Sequence, residues 1–451
     1  MNSPKKIEDK PKLTLTEADR KVFDLIMTGQ PLSGTEANSQ LHLAYEFFKT
    51  AFEFEHNKFT AEGLLDCIRT LKMVTIRLEE SDNPNRIFET LNFRGKELAQ
   101  SDLVRNFFMM SIVTPAKTNE VYAQIWFPMQ QALGLNTLER IENLETFLRH
   151  YVVMKGQMVI KENRIYPEIR GPLKNANQDQ IILELKEISE YSKFYEKLLF
   201  PSRELNLNIR RGIERINRLK VGVQYPFLIK VYKGFSTGTI SEEDFCHILR
   251  TLESYIIRRT FSRLPTHSLN RLFADLCSLN YAGISKKLES TLTSKKEWAA
   301  QYWPSDTDFK QQFGTLPIYK ISSDKCRFIL ETLEEDFNHP EPVKLDGLWI
   351  EHIMPETFDA SWQNYLGKEW KRIQETYLHT MGNLTLIAAS PNESIQNKLF
   401  LEKKKEWYSV TNISLTKEIN TKWSEWKEND IRQRAAILAD RAVKIWPRSN
   451  E

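Results

Sequence analysis

In the stretch "GLWIEHIMPETF", which begins at Gly347, a carboxylate and an imidazole stand side by side as Glu351 and His352. A neutral imidazole is a suitable general base near pH 7, and a carboxylate is a ligand for hard divalent cations. Further on, "MGNLTLIAASPNESIQNKLFLEKKKEWY" places Asn383 after a glycine at the head of an apolar run. Asn392 follows nine residues later, then Asn397, Lys398, Lys403, Lys404 and Lys405. Phosphodiester hydrolysis needs an activated water, and a cation that neutralises charge on the phosphate and the leaving oxygen. His352 has the chemistry of the base, and Glu351 and Asn392 offer oxygens to Mg²⁺ or Mn²⁺. Asn383 can hold the loop or orient His352 through a hydrogen bond. Lys398, Lys403 and Lys404 are placed to meet DNA phosphates. Each residue also has a plainer reading. A lone His352 would be a core histidine, Asn392 after Pro391 is a good helix N-cap, and Asn397 is an alternative ligand or a turn residue. The lysine run is equally a solvated helix face, and His379, just before the Asn383 run, reads as an ordinary loop histidine.

The elements around these residues follow from periodicity. "LWIEHIM" and "NLTLIAA" read as short strands, and the basic stretch after Asn397 reads as a helix. Neighbours on a strand point to opposite faces, so Glu351 and His352 reach one centre only from two sides, where the strand ends or bends. Upstream, "LTEADRKVFDLIMTG" (13–29) predicts a helix with Thr16 at its N-cap and Gly29 at its stop, and 33–54 predicts a second. "LKMVTIRL" (71–78) alternates and is β-branched, which predicts a strand. Helices are expected in "PNRIFETLN" and "SDLVRNFFMMSIV", joined through a turn at Asn92, Arg94 and Gly95. From about 115 to 335 apolar residues recur every three or four positions, as in "TLERIENLETFLRHYVVMK" and "EEDFCHILRTLESYIIRRTFSRL", so a helical bundle is expected. Gly347, Pro355, Gly367, Gly382 and Pro391 mark a change of composition, and "DIRQRAAILADRAVKIW" (430–446) predicts a closing helix. The fold class is mainly α with a small α+β part.

The 63 Lys and Arg against 60 Asp and Glu leave a net charge of +3, which neither demands nor forbids nucleic acid, since a basic groove can hide in a balanced total. No apolar run approaches the ~20 residues of a membrane span. The start "MNSPKKIEDKPK" lacks the apolar core of a secretory signal. Cys67, Cys246, Cys277 and Cys326 form neither a CxxC pair nor a disulfide framework, which fits a reducing cytoplasm. Arg211, Arg215 and Arg218 share a helix face and fit salt bridges as well as DNA. Arg258 and Arg259 read as ion-pair residues, and Trp407, Trp423, Trp426 and Trp446 as core.

Taken together, "IEHIMP…GNLTLI…N…NKLF" resembles the HNH (ββα-metal) domain of GmrSD-type restriction endonucleases. "RIFETLNFRGKELAQSDLVRNFF" (86–108) is similar to the distal part of that family's ParB/sulfiredoxin-like N-terminal domain. "LESYIIRRTFSRLPTHSLNRLFADL" (252–276) is similar to its connecting helical region, and the last helix to its C-terminal one. The resemblance covers about residue 70 to the end. It implies a partial N-terminal domain over 1–113, a helical domain over 114–335 and an HNH nuclease domain over 336–451. It also implies His352 as general base, Asn383 as its support, Glu351 and Asn392 as ligands of Mg²⁺ or Mn²⁺, and foreign phage DNA carrying modified cytosine, glucosylated or hydroxymethylated, as target. The family's Asp-Gly-Gln-Gln-Arg motif is missing, so nucleotide hydrolysis by this chain alone is not expected. A partner subunit supplying that half, a degenerate subtype and a gene fragment are the three readings of that gap; a DNA- or partner-binding fragment without cleavage is the alternative function.

Overall fold

The computed structural model describes residues 13, 15, 17–34, 36–37, 39–54, 60–72, 99–295, 299–338, 343–388 and 397–449. The chain divides into two compact units, Met1–Asp82 and Asn83–Glu451. In the first, helices span Glu17–Thr28, Gln40–Phe54 and Ala61–Thr70. Gly29 ends the first of these at φ +70, the left-handed conformation open to a residue without Cβ. The second helix starts later than residue 33. Thr60 caps the third, its hydroxyl accepting from the Gly63 N–H at 3.0 Å. Thr16, residues 73–78 of the expected strand and the 86–98 stretch lie outside the described residues; Leu71 and Lys72 are irregular.

The second unit is helical almost throughout. The three longest described helices start where a short polar side chain replaces a missing backbone partner. Asn136 opens Thr137–Gly156, Asn177 with Gln180 forms a capping box at Gln178–Leu199, and Ser241 opens Glu242–Phe261. Helix Glu242–Phe261 is buried nearly all round, the mark of a helix at the centre of a bundle rather than on its surface. Helix Leu207–Arg218 lies tight against it at Gly212, where a Cβ would come within 2.6 Å of Leu249. Arg215 and Arg218 spend their charge inside the unit: Arg215 makes two hydrogen bonds to Glu253, at 2.8 and 2.7 Å, and Arg218 pairs with Glu331. Arg258 is fully buried, bonded to the Trp446 carbonyl at 2.7 Å and paired with Asp306.

Among the described residues one sheet occurs, of two antiparallel strands. Strand β1, Leu348–His352, pairs with β2, Leu384–Ala388, in a register that sets Glu351 opposite Thr385 and His352 opposite Leu384. Helices Ala360–Leu366 and Trp370–Tyr377 occupy the connection, and Phe400–Lys403 runs on into a wider π turn, Lys404–Tyr408. A second apolar cluster gathers beneath this region from Ile353, Met354, Trp362, Phe400, Tyr408 and Trp426. All four cysteines are free. No described helix is long and apolar enough to cross a membrane.

Candidate active site around His352

His352 is the last residue of β1, and its environment is set by three other segments. Its Nε2 lies 3.1 Å from Nδ1 of His379 and 3.7 Å from Oε1 of Glu356; His379 Nδ1 is 4.0 Å from the same oxygen. The three ligand-capable atoms therefore lie within 4.8 Å of one another. Tyr319, on the short helix Ile318–Ile321, closes one side. Its ring meets His352 edge-on at 4.7 Å and stacks on His379 at 5.7 Å, and its N–H donates to the His379 carbonyl at 3.3 Å. Burial pushes the His352 imidazole down to about 3, with the neighbouring His379 and Lys403 acting in the same direction. At neutral pH it is uncharged, the form that can accept a proton. Burial lowers His379 as well, against the pull of Glu356.

Glu351 points the other way, as the alternation of a strand requires. It is 6% exposed, and its carboxylate accepts from Lys403 Nζ at 2.6 Å and from the Tyr408 hydroxyl at 3.5 Å. Lys403 is fully buried and also donates to the His352 carbonyl at 2.9 Å. Burial raises the Glu351 carboxyl and lowers the Lys403 amine, while their mutual attraction opposes both shifts. The pair so formed locks the end of β1 to the helix at Phe400–Lys403. It corrects one expectation directly: Lys403 cannot touch a DNA phosphate from this position. It also keeps Glu351 out of the His352–Glu356–His379 group.

Asn383 is fully buried at the head of β2 and uses its whole amide. Oδ1 accepts from the Met354 N–H at 2.8 Å and from the Trp426 indole at 3.0 Å, while Nδ2 donates to the carbonyls of Met354 at 2.9 Å and Leu378 at 3.0 Å. These bonds fix Met354, two residues after His352, and Leu378, the residue before His379; none goes to the imidazole itself. The preceding Gly382 is needed for a different reason. A Cβ there would lie 2.4 Å from the Ile431 carbonyl oxygen of the terminal helix, Glu428–Ile445. From that helix Arg434 donates to the carbonyls of Met381, Gly382 and Leu384, at 3.2, 2.9 and 2.7 Å.

Asn392 lies outside the described residues. Lys398 pairs with Glu406 at 2.5 Å and sits over the Trp407 ring, and Lys404 donates to the Trp423 carbonyl at 2.7 Å. Sequence reasoning set His379 aside and missed Glu356 and Tyr319. The one signal was spacing: Glu356 follows His352 by four residues, and His379 precedes Asn383 by four. An imidazole pair with a carboxylate fits a borderline divalent ion such as Zn²⁺, Fe²⁺ or Ni²⁺ better than Mg²⁺ or Mn²⁺, which favour oxygen ligands.

Sequence models of two domains match the chain. One, described as the GmrSD restriction endonuclease N-terminal domain, matches residues 2–109; the other, the C-terminal domain of GmrSD restriction endonucleases, matches residues 303–441. The second match spans every side chain of the site, from Tyr319 to Arg434, and the first reaches well upstream of residue 70. Among curated proteins none matches.

Proposed function

Because the chain belongs to the GmrSD restriction endonuclease family, and so is a nuclease of a restriction system with DNA as substrate, we propose that it hydrolyses DNA phosphodiesters in an HNH-type, metal-assisted reaction with His352 as general base. The observation that carries this reading is a buried imidazole at a strand end, its ring nitrogen within 4.8 Å of two further groups able to bind a metal. His352 takes the proton of the attacking water, and neutral imidazole is the form that can do so. Asn383 acts on it at one remove, by holding the backbone of Met354 and Leu378 on either side of the histidine pair. Tyr319 limits the rotation of both rings and excludes water from one side. Glu356 and His379 would hold the divalent ion, and the ion, when bound, neutralises charge developing on the phosphate and the leaving oxygen. Glu351 and Asn392 are the alternative oxygen ligands, but Glu351 reaches an ion only by giving up Lys403.

The test is cleavage by wild type and His352→Ala, in Mg²⁺, Mn²⁺ or EDTA, with plain and glucosylated-hydroxymethylcytosine DNA, with and without nucleoside triphosphate. Cleavage that requires both the metal and His352 is expected, modified DNA being the preferred target. Equal cleavage by His352→Ala refutes the assignment of the base. DNA binding without cleavage under every condition moves the chain to the binding-only or partner-gated class.

A further inference from the structure

Helix Ile318–Ile321 has two sides. Tyr319 faces His352 and His379, whereas Pro317 and Ile321 line a cavity of about 550 Å³. The cavity's other walls come from the C-terminal end of Glu242–Phe261, the loop after it, and the start of Ser323–Glu335; they include Arg259, Thr260, Arg263 and Lys325. Three cations thus converge on one concave space, with no carboxylate in its lining.

Their present partners do not balance their charge. Arg259 is 2% exposed and donates to the carbonyls of Tyr302 and Pro265, at 3.0 and 2.9 Å, while its buried Nε has no hydrogen-bond partner among the described residues. Among the described residues Lys325 reaches only the Thr260 hydroxyl, at 3.5 Å. The carboxylate next to Lys325, Asp324, is taken by Lys220. Arg263 sits at φ +51, in the left-handed region that non-glycine residues enter at a cost. Among the described residues no ion pair joins any of the three to an acid. Helix dipoles do not explain the excess. The C-terminus of Glu242–Phe261 contributes about half a negative charge, and the N-terminus of Ser323–Glu335, where Lys325 lies in the first turn, about half a positive one. The two halves cancel and leave three full positive charges. Of the three, Arg259 is buried, Lys325 half-buried and Arg263 exposed at the rim; burying the Arg259 charge without a counter-ion is costly, and an anion entering from outside would balance it while meeting the other two.

We infer that the cavity formed by Arg259, Arg263 and Lys325 is a phosphate subsite for the DNA substrate, holding a backbone phosphate away from the scissile one while Tyr319, on the same short helix, borders the catalytic histidine. This rests on the nuclease reading for its choice of DNA over a small anion. A phosphate anchored beside Pro317 and Ile321 would set the register in which the strand passes His352, which is the role of backbone contacts in nucleic-acid recognition.

The experiment measures DNA affinity against salt for the full chain carrying His352→Ala, with and without Arg263→Gln or Lys325→Met; Arg259 is left intact because its buried bonds hold the fold. Each substitution is expected to weaken binding roughly five-fold at low salt and to reduce the slope of log K against log salt by about one, with Lys325→Arg retaining the affinity. Unchanged affinity and slope in both variants overturn the subsite. Inorganic phosphate or a nucleoside triphosphate that binds the wild type stoichiometrically and loses its site in both variants, with DNA affinity untouched, also overturns it in favour of a small-anion site. Cleavage is scored separately on the wild type. DNA binding that depends on Arg263 and Lys325 without cleavage would sink the nuclease reading and leave the subsite standing.

Discussion

Replacing Lys403 by Met separates a structural ion pair from a DNA contact. The side chain is fully buried, its amine 2.6 Å from the Glu351 carboxylate and 2.9 Å from the His352 carbonyl. Removing the cation strands a carboxylate that is itself only 6% exposed. Breaking one side of such a pair costs about 3–5 kcal/mol, mostly the desolvation of the charge left behind. For a large domain this is expected to lower the melting temperature by about 6–10 °C. The deficit also depends on pH. Burial already raises the Glu351 carboxyl, and loss of Lys403 raises it further. A carboxyl whose folded pKa exceeds its unfolded value binds more protons when folded, so its contribution to stability grows as pH falls. Lys403→Met should therefore melt closer to wild type at pH 5 than at pH 8. Adding Glu351→Gln should recover part of the loss, with a coupling of about 2 kcal/mol or more in the double-mutant cycle. The assay is thermal unfolding at fixed scan rate for the four proteins, alongside DNA affinity against salt. A single variant that melts within about 1 °C of wild type and instead loses DNA affinity and salt slope would put Lys403 at a phosphate and refute the buried pair.

Asn383→Ala leaves the Trp426 indole, both Met354 backbone groups and the Leu378 carbonyl without their partner; at about 1–3 kcal/mol for each buried group left unpaired, the melt should fall sharply and kcat should drop more than KM rises. Gly382→Ala places a methyl 2.4 Å from the Ile431 carbonyl oxygen; backbone must move, and a lower melt with reduced cleavage is expected, while unaltered stability would contradict the packing of the terminal helix. His150, buried between Tyr195 and Tyr225, is pushed down to about 3 by burial. Its folded pKa lies below the unfolded value, so the unfolded chain takes up a proton first, and stability should fall by about 1.4 kcal/mol per unit as pH drops below about 6.5. His150→Phe should remove that share of the decline between pH 6.5 and 5 in a series of thermal melts, the equally depressed His352 keeping its own, and an unchanged slope would refute the attribution.

Much of the fold was legible because it is local. The helices Thr137–Gly156, Gln178–Leu199 and Glu242–Phe261 announce themselves by a 3.6-residue apolar period and by Asn or Ser caps, and the two strands stand where short, mostly apolar runs follow Gly347 and Gly382. The burial of Lys403 was not legible. Three successive lysines read as solvated or DNA-facing, and only the third dimension shows one of them turned inward to a carboxylate 52 residues away. His379 was misread for the same reason, since nothing local distinguishes a loop histidine from one stacked on Tyr319 and bonded to His352.

The sequence by itself determined that a Glu-His pair sits on a short strand, that a Gly-Asn pair opens the next, and that a helical body carries both. Residue type and periodicity encode those statements, because they depend on neighbours a few positions away. Only the tertiary structure decided the direction each side chain faces and what it meets. The alternation of β1 sends His352 to His379 and Glu356 and sends Glu351 to Lys403. The terminal helix, packed on Gly382, holds the carbonyls that fix Asn383 in place. Burial, counter-ions and pKa belong to contacts between distant segments, and no pattern along the chain records them.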